Sequence, residues 1–133
     1  MSDSNRAIAL AFFDHLYAGN LDGALDLLAS DAQYVVLGRP ENFPMAGSYG
    51  KDQIVDLLEL IGPAVPNGVQ QEITSSIAEG DRVAVIGHVE AVAANGRDYR
   101  NNFVFIVTVR DGSIIRVDEY IDTQEANDVL FSD

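Results

Sequence analysis

NGRDYRNNFVFIVTVRDGSIIRVDEYIDT, residues 95–123, carries two turn dipeptides, Asn95-Gly96 and Asp111-Gly112. Each is followed by alternating β-branched and aromatic residues, so residues 98–110 and 113–122 are predicted to be neighbouring antiparallel strands. In the second strand Ile115, Val117, Glu119 and Ile121 share one side, apolar apart from the carboxylate. An uncompensated charge on a buried face is costly. Glu119 is therefore a candidate for chemistry, with a bond to a helix end or to Arg39 or Arg100 as the structural alternative. A two-residue turn at Asp111-Gly112 would set this odd-numbered side against the wrong residues of the preceding strand. A three-residue loop or a β-bulge is expected instead, leaving Glu119 about opposite Phe105.

The other end of the stretch decides the direction of a second polar pair. Asn-Gly is the strongest short signal for a two-residue type I′ turn. Such a turn pairs Ala94 with Arg97, and then Glu90 with Asn101, His88 with Phe103 and Ile86 with Phe105. Directly opposed residues share a face, so His88 and Glu90 are expected beside Phe103, Phe105 and Val107. The strand's own pattern argues the other way, because Val83, Val85, Gly87, Val89 and Ala91 form an entirely apolar side. A loop one residue longer would turn His88 and Glu90 out to water. The tight turn is the reading adopted, and it makes His88–Glu90 an imidazole–carboxylate pair suited to general-base work.

Upstream, two further strands are expected at residues 69–78 and 82–94. Three helices come before them. The first carries Ile8, Phe12, Leu16 and Tyr17 behind a Ser4 or Asp3 cap and ends at Gly19-Asn20. The second has Asp22 as its candidate cap and buries Ala24, Leu25, Leu27 and Leu28. The third covers residues 51–61. Tyr34-Val35-Val36-Leu37 is a short strand, and residues 38–50 form a loop. A last helix runs from residue 123 to about 131. Helices first and an antiparallel meander after them indicate an α+β domain with helices on one face of the sheet.

At 133 residues with 47% hydrophobic and 22% charged residues, the chain suits one globular domain over its whole length. With 21 acidic against 8 basic side chains its formal charge is −13, which disfavours nucleic acid and anionic membrane as partners. The absence of cysteine removes disulfides and thiolate chemistry and suits a reducing, cytoplasmic compartment. The opening MSDSNRAIALAFF lacks the basic leader of an export signal. The His88-x-Glu90 pattern has no Pro-Cys-x-x-Cys partner, so it is no zinc-deaminase motif. No metal site or cofactor is expected.

Three segments in order, AFFDHLYAGNLDGALDLLASDAQYVV, AGSYGKDQIVDLL and YRNNFVFIVTVRDGSIIRVDEYIDT, resemble the nuclear transport factor 2-like superfamily, in its SnoaL-like, ketosteroid-isomerase-related branch. The resemblance implies a cone: a curved, mainly antiparallel sheet wrapped around three helices from the N-terminal half. It also implies that this is no classical steroid isomerase. The positions of that enzyme's base, tyrosine and aspartic acid fall on Val36, Phe12 and Phe105. Members commonly dimerise through the outer sheet face, here expected to show Val104, Ile106, Ile114 and Tyr120 with Val83, Val85 and Val89.

The function expected is a cofactor-free acid–base enzyme (an isomerase, cyclase, hydratase or epoxide hydrolase) acting on a small apolar carbonyl, enol or epoxide compound. Glu119, His88 and Glu90 are the candidate catalytic residues. Asn101, Tyr34, Phe103, Phe105, Phe12 and His15 are the candidate binding residues, His15 having core or rim packing as its alternative. The rival is a non-catalytic ligand-binding or dimerisation module, since a fold alone does not confer chemistry.

Overall fold

Ala9, Phe12 and Phe13 fall on one side of the first helix, α1 (Ser2–Tyr17), and all three are buried. That stripe is what the curved sheet closes over. The computed structural model describes residues 2–131. Gly19, with φ at +82°, ends α1 by taking a left-handed conformation. Asn20, rather than Asp22, caps α2 (Leu21–Asp26), its Oδ1 accepting from the Gly23 amide at 3.1 Å. Leu28, expected on the stripe of α2, already opens β1 (Leu28–Val36), which is longer than predicted. The loop that follows turns inward and buries Phe43, Met45 and Ala46, then adds a short strand, β2 (Gly47–Gly50). The third helix begins with a 3-10 turn at Lys51–Gln53 and continues as α3 (Ile54–Ile61).

Four strands of the meander follow: β3 (Gln70–Glu79), β4 (Arg82–Val92), β5 (Asp98–Arg110) and β6 (Ser113–Ile121). The chain closes with α4 (Thr123–Leu130), capped by Asp122 Oδ1 accepting from the Gln124 and Glu125 amides. All six strands make one sheet in the order β2-β1-β6-β5-β4-β3, antiparallel except where β1 runs beside β6. This is the expected α+β arrangement, a mainly antiparallel curved sheet around the N-terminal helices. Phe13 of α1 stacks on Phe105 of β5 with ring centroids 4.3 Å apart, fixing helix to sheet. Among the described residues no helix is long and apolar enough to cross a membrane.

The β4–β5 connection differs from the predicted tight turn. Gly96 N–H donates to Ala93 O and Ala93 N–H to Arg97 O, each at 2.9 Å, so three residues rather than two cross the end. Only Gly96 has a positive φ, +85°, whereas a type I′ turn needs two such residues. Asn95 spends its side chain elsewhere. Oδ1 accepts from the Arg97 amide at 3.0 Å, and Nδ2 donates to Val129 O on α4 at 2.9 Å. The extra residue shifts the register, so that His88 faces Asn102, Glu90 faces Arg100 and Gly87 faces Phe103. His88 and Glu90 therefore lie on the outer face. Val83 and Val85, expected outside, are fully buried. The energetics favour this register: each buried valine contributes about 1.5–3 kcal/mol, while two buried ionisable side chains would cost several kcal/mol.

The β5–β6 hairpin follows its prediction by way of a bulge. Asp111 and Gly112, with φ of +53° and +81°, form a two-residue turn between Arg110 and Ser113. Pairing then slips between Thr108 and Val109, with Ile114 opposite Val109 and Arg116 opposite Thr108. Ile115 is the extra residue. Ile114 thus points into the core at 0% exposure, contrary to the expected parity, while Val117, Glu119 and Ile121 keep theirs. Glu119 pairs with Phe105.

Gly87 permits a close approach that no other residue would allow. A Cβ there would strike the backbone oxygen of Glu72, and the Phe103 ring end at 2.7 Å. Gly87→Ala is expected to destabilise the protein by about 1–3 kcal/mol through overpacking, measured as a lowered urea midpoint with unchanged slope.

Candidate active site

The concave side of the sheet does not close completely onto the helices. A cavity of about 400 Å³ remains between it and α1, α3 and α4. Its wall is largely hydrocarbon, with Leu57, Leu58 and Ile61 of α3, Phe103 and Phe105 of β5, and Ile121 of β6. Into it β6 delivers Glu119, and Tyr17, Tyr34 and Tyr99 line it beside that carboxylate. Tyr49, whose hydroxyl donates to Met45 O at 2.8 Å, also feels the charge from outside the lining.

Tyr34 holds Glu119 directly, its hydroxyl donating to Oε1 at 2.6 Å. The parallel pairing of β1 with β6 makes this possible, setting Tyr34 against Val117 and Val36 against Glu119. Among the described residues no cation forms an ion pair with Glu119. Arg100 is engaged outside, with Glu90 at 3.8 Å. Burial therefore pushes the Glu119 pKa above the ordinary carboxylate range, and the Tyr34 hydrogen bond offsets part of the rise. Burial and then the neighbouring carboxylate raise Tyr34 well above a normal phenol, and Tyr17 likewise. Tyr99 is pushed up to about 12, chiefly by burial, while a bond from Asn101 opposes the rise. All four phenols stay protonated near neutrality. The cavity thus presents one carboxylate, poised to gain or lose a proton, among hydroxyl groups.

Of the residues singled out from sequence, Glu119, Tyr34, Phe103 and Phe105 come together at this cavity. The others do not. His88 and Glu90 form loose surface pairs, His88 Nε2 with Glu72 Oε2 and Glu90 with Arg100, both at 3.8 Å. His88→Ala and Glu90→Ala should each change stability by less than about 0.5 kcal/mol and leave ligand affinity at the cavity unaltered, as titration calorimetry would read. Phe12 is part of the solid core, edge-on to Phe13 at 5.0 Å, and does not reach the cavity. His15 sits at the helix elbow, where its Nδ1 accepts from Asn20 Nδ2 at 3.1 Å. Asn101 points inward and is buried, but its amide is consumed by the protein. Oδ1 accepts from the Asp122 amide at 3.0 Å, and Nδ2 donates to Asp122 O at 2.9 Å and to the Tyr99 hydroxyl at 2.8 Å.

Tyr17 and Tyr99 were missed from sequence. Tyr17 lies one turn beyond Phe13 on the buried side of α1, and Tyr99 alternates with Asn101 and Phe103 on β5, so helical spacing and strand parity could have found them. Among the described residues no group of three or more His, Cys, Asp or Glu could hold a metal ion.

A six-stranded cone closed by helices around a cavity is the nuclear transport factor 2-like architecture. The SnoaL-like domain family matches residues 9–117, most of the chain, and the protein belongs to that family. Solved structures agree on the fold. A nuclear transport factor 2-like protein of unknown function from Burkholderia pseudomallei superposes with a TM-score of 0.87 at 19% identity, covering 96% of this chain and 98% of that one. TerC, co-crystallised with polyporic acid, gives 0.86 at 23% identity, with 96% and 98% covered. A candidate SnoaL-like polyketide cyclase from Jannaschia gives 0.82 at 15% identity, with 99% and 94% covered. No curated protein matches the sequence.

Proposed function

We propose that the protein is a cofactor-free acid–base enzyme whose cavity takes a small, mostly apolar carbonyl or enol compound. Glu119 is its proton-transfer group. The observation that carries this reading is the Glu119 carboxylate itself: it faces a hydrocarbon-walled cavity, answered by one tyrosine hydroxyl at 2.6 Å and by no cation among the described residues. A base of raised pKa, partly withdrawn from solvent, is matched to abstracting a proton beside a carbonyl near neutral pH. The carboxylate takes a proton from the carbon next to the carbonyl, and the C–H electron pair moves into the new C=C bond. The carbonyl π electrons pass to oxygen as an enolate. Return of the proton to the same carbon gives exchange, and return to another gives isomerisation. TerC, a structural relative, was crystallised with polyporic acid, which supports a small organic ligand for a cone of this shape.

β-Tetralone, an uncharged bicyclic ketone, is a direct probe. In deuterated buffer the protein should accelerate deuterium uptake beside the carbonyl in proportion to enzyme concentration, read by mass spectrometry. Binding without accelerated exchange would favour the rival reading, a binding module that uses Glu119 only as a hydrogen-bond acceptor. We also propose that the chain forms a homodimer through the outer sheet face. There Ile86, Val104 and Ile106 stand half-buried beside Tyr120, which is 48% exposed. Val104→Arg should then sediment as a monomer while the unaltered chain sediments as a dimer.

A further inference from the structure

Among the described residues, Tyr99 differs from the other cavity tyrosines in that its hydroxyl accepts a hydrogen bond from the protein and donates none. Asn101 cannot be turned over, because the Asp122 amide must meet its oxygen at 3.0 Å and the Asp122 carbonyl must meet its nitrogen at 2.9 Å. The nitrogen is therefore the group 2.8 Å from the Tyr99 oxygen, and that oxygen is the acceptor. An amide NH₂ has no acceptor capacity, so the phenolic proton of Tyr99 must point elsewhere. Among the described residues it meets no acceptor, and Tyr99 lines the cavity. Tyr34 is the opposite case, its proton already given to Glu119. Among the described residues the Tyr17 hydroxyl meets no hydrogen-bond partner, so nothing there commits it to donating or to accepting.

We infer that Tyr99, held by Asn101, is the committed hydrogen-bond donor of the cavity and selects ligands that present an uncharged acceptor oxygen. This rests on the proposed function and gives it a substrate class. The ligand carries a neutral carbonyl toward Tyr99 and an acidic C–H or O–H toward Glu119, joined by an apolar ring or chain. Carboxylate ligands are disfavoured by the charge on Glu119. Hydrocarbons are disfavoured because they would leave the buried Tyr99 donor unanswered. Asn101 is a positioning residue: by occupying the Tyr99 acceptor site it polarises the O–H and sends it inward.

The test compares β-tetralone with tetralin, the same skeleton without oxygen, by titration calorimetry. It also follows the bound carbonyl stretch of ¹³C-labelled β-tetralone in difference infrared spectra. The intact protein should prefer the ketone by about tenfold or more, the ratio expected for one hydrogen bond in a dry site, and should lower its carbonyl frequency. Tyr99→Phe should bring the ratio to within about twofold and return the frequency toward that of the ketone in an apolar solvent. Part of the change in ratio should come from tighter tetralin binding, because no buried donor is then left unanswered. Asn101→Asp should have the same spectral effect with Tyr99 still present, because a carboxylate accepts the phenolic proton and turns it away from the ligand, at a cost in melting temperature from the oxygen it sets against Asp122 O. A preference for the ketone that survives Tyr99→Phe overturns the inference. So does the absence of any preference in the intact protein, or a spectral change produced by Tyr17→Phe instead. None of these readouts depends on turnover, so they separate from a failure of Glu119 as a base.

Discussion

Glu119→Gln is expected to reduce exchange of β-tetralone by about two to four orders of magnitude, the usual contribution of a positioned general base, while the protein melts no lower than before. The amide oxygen can still accept from Tyr34, which now donates at 2.6 Å to Oε1, so neither the packing nor the cavity volume changes appreciably. Stability should instead respond through pH. Burial raises the native pKa of Glu119 above its unfolded value, so the folded state holds this proton more tightly than the unfolded chain does. Stability from this group is full below the ordinary carboxylate range and is lost as pH rises through the raised native value. The glutamine variant lacks that loss. Its melting temperature should exceed that of the unaltered protein at pH 8, and the gap should close on acidification. A variant that exchanged ketone protons at the original rate would remove Glu119 from the chemistry, whatever its stability.

The second large effect is expected from Tyr34→Phe. Its hydroxyl is the one group opposing the desolvation of Glu119, so its loss pushes that carboxyl further up. If exchange requires the ionised form, the acid limb of the kcat/KM profile moves to higher pH. Activity below neutrality falls accordingly. The stability cost has its own pH dependence. Leaving a buried carboxylate without its donor costs about 1–3 kcal/mol when Glu119 is ionised, and less once it is protonated. Urea titrations at pH 8 and pH 5 should therefore give a larger deficit at the higher pH. An equal deficit at both would mean that Tyr34 contributes by packing alone.

Much of this protein can be read in its alternation of residue types. The limits of β5 and β6, to within a residue, and the bulged final hairpin follow from β-branched runs between Gly-containing turns. Glu119 stood out as the single charge in an apolar set, and its pairing with Phe105 followed from strand spacing. Tyr34 was visible for the same reason, sharing parity with Val36. Such readings succeed where a residue's environment is set by its own strand and the next one.

They fail where a distant element intervenes. Asn95 reads as a type I′ turn residue, but its amide is claimed by the Val129 carbonyl on α4, 34 residues away in sequence, and one added residue turned His88 and Glu90 outward. Asn101 faces inward as its pattern says. Whether its amide was free for a ligand depended on the Asp122 backbone at the far end of β6, and it was not. By itself, then, the sequence determined the order of the helices and of the meander strands, the sheet's inner set on β5 and β6, and the inward placement of one carboxylate, because these depend on local periodicity and the cost of wetting hydrocarbon. The short strand β2 lay inside what reads as a loop. Only the tertiary structure decided which polar groups keep an open valence toward the cavity, because a hydrogen bond is directional and its partner can come from anywhere in the chain.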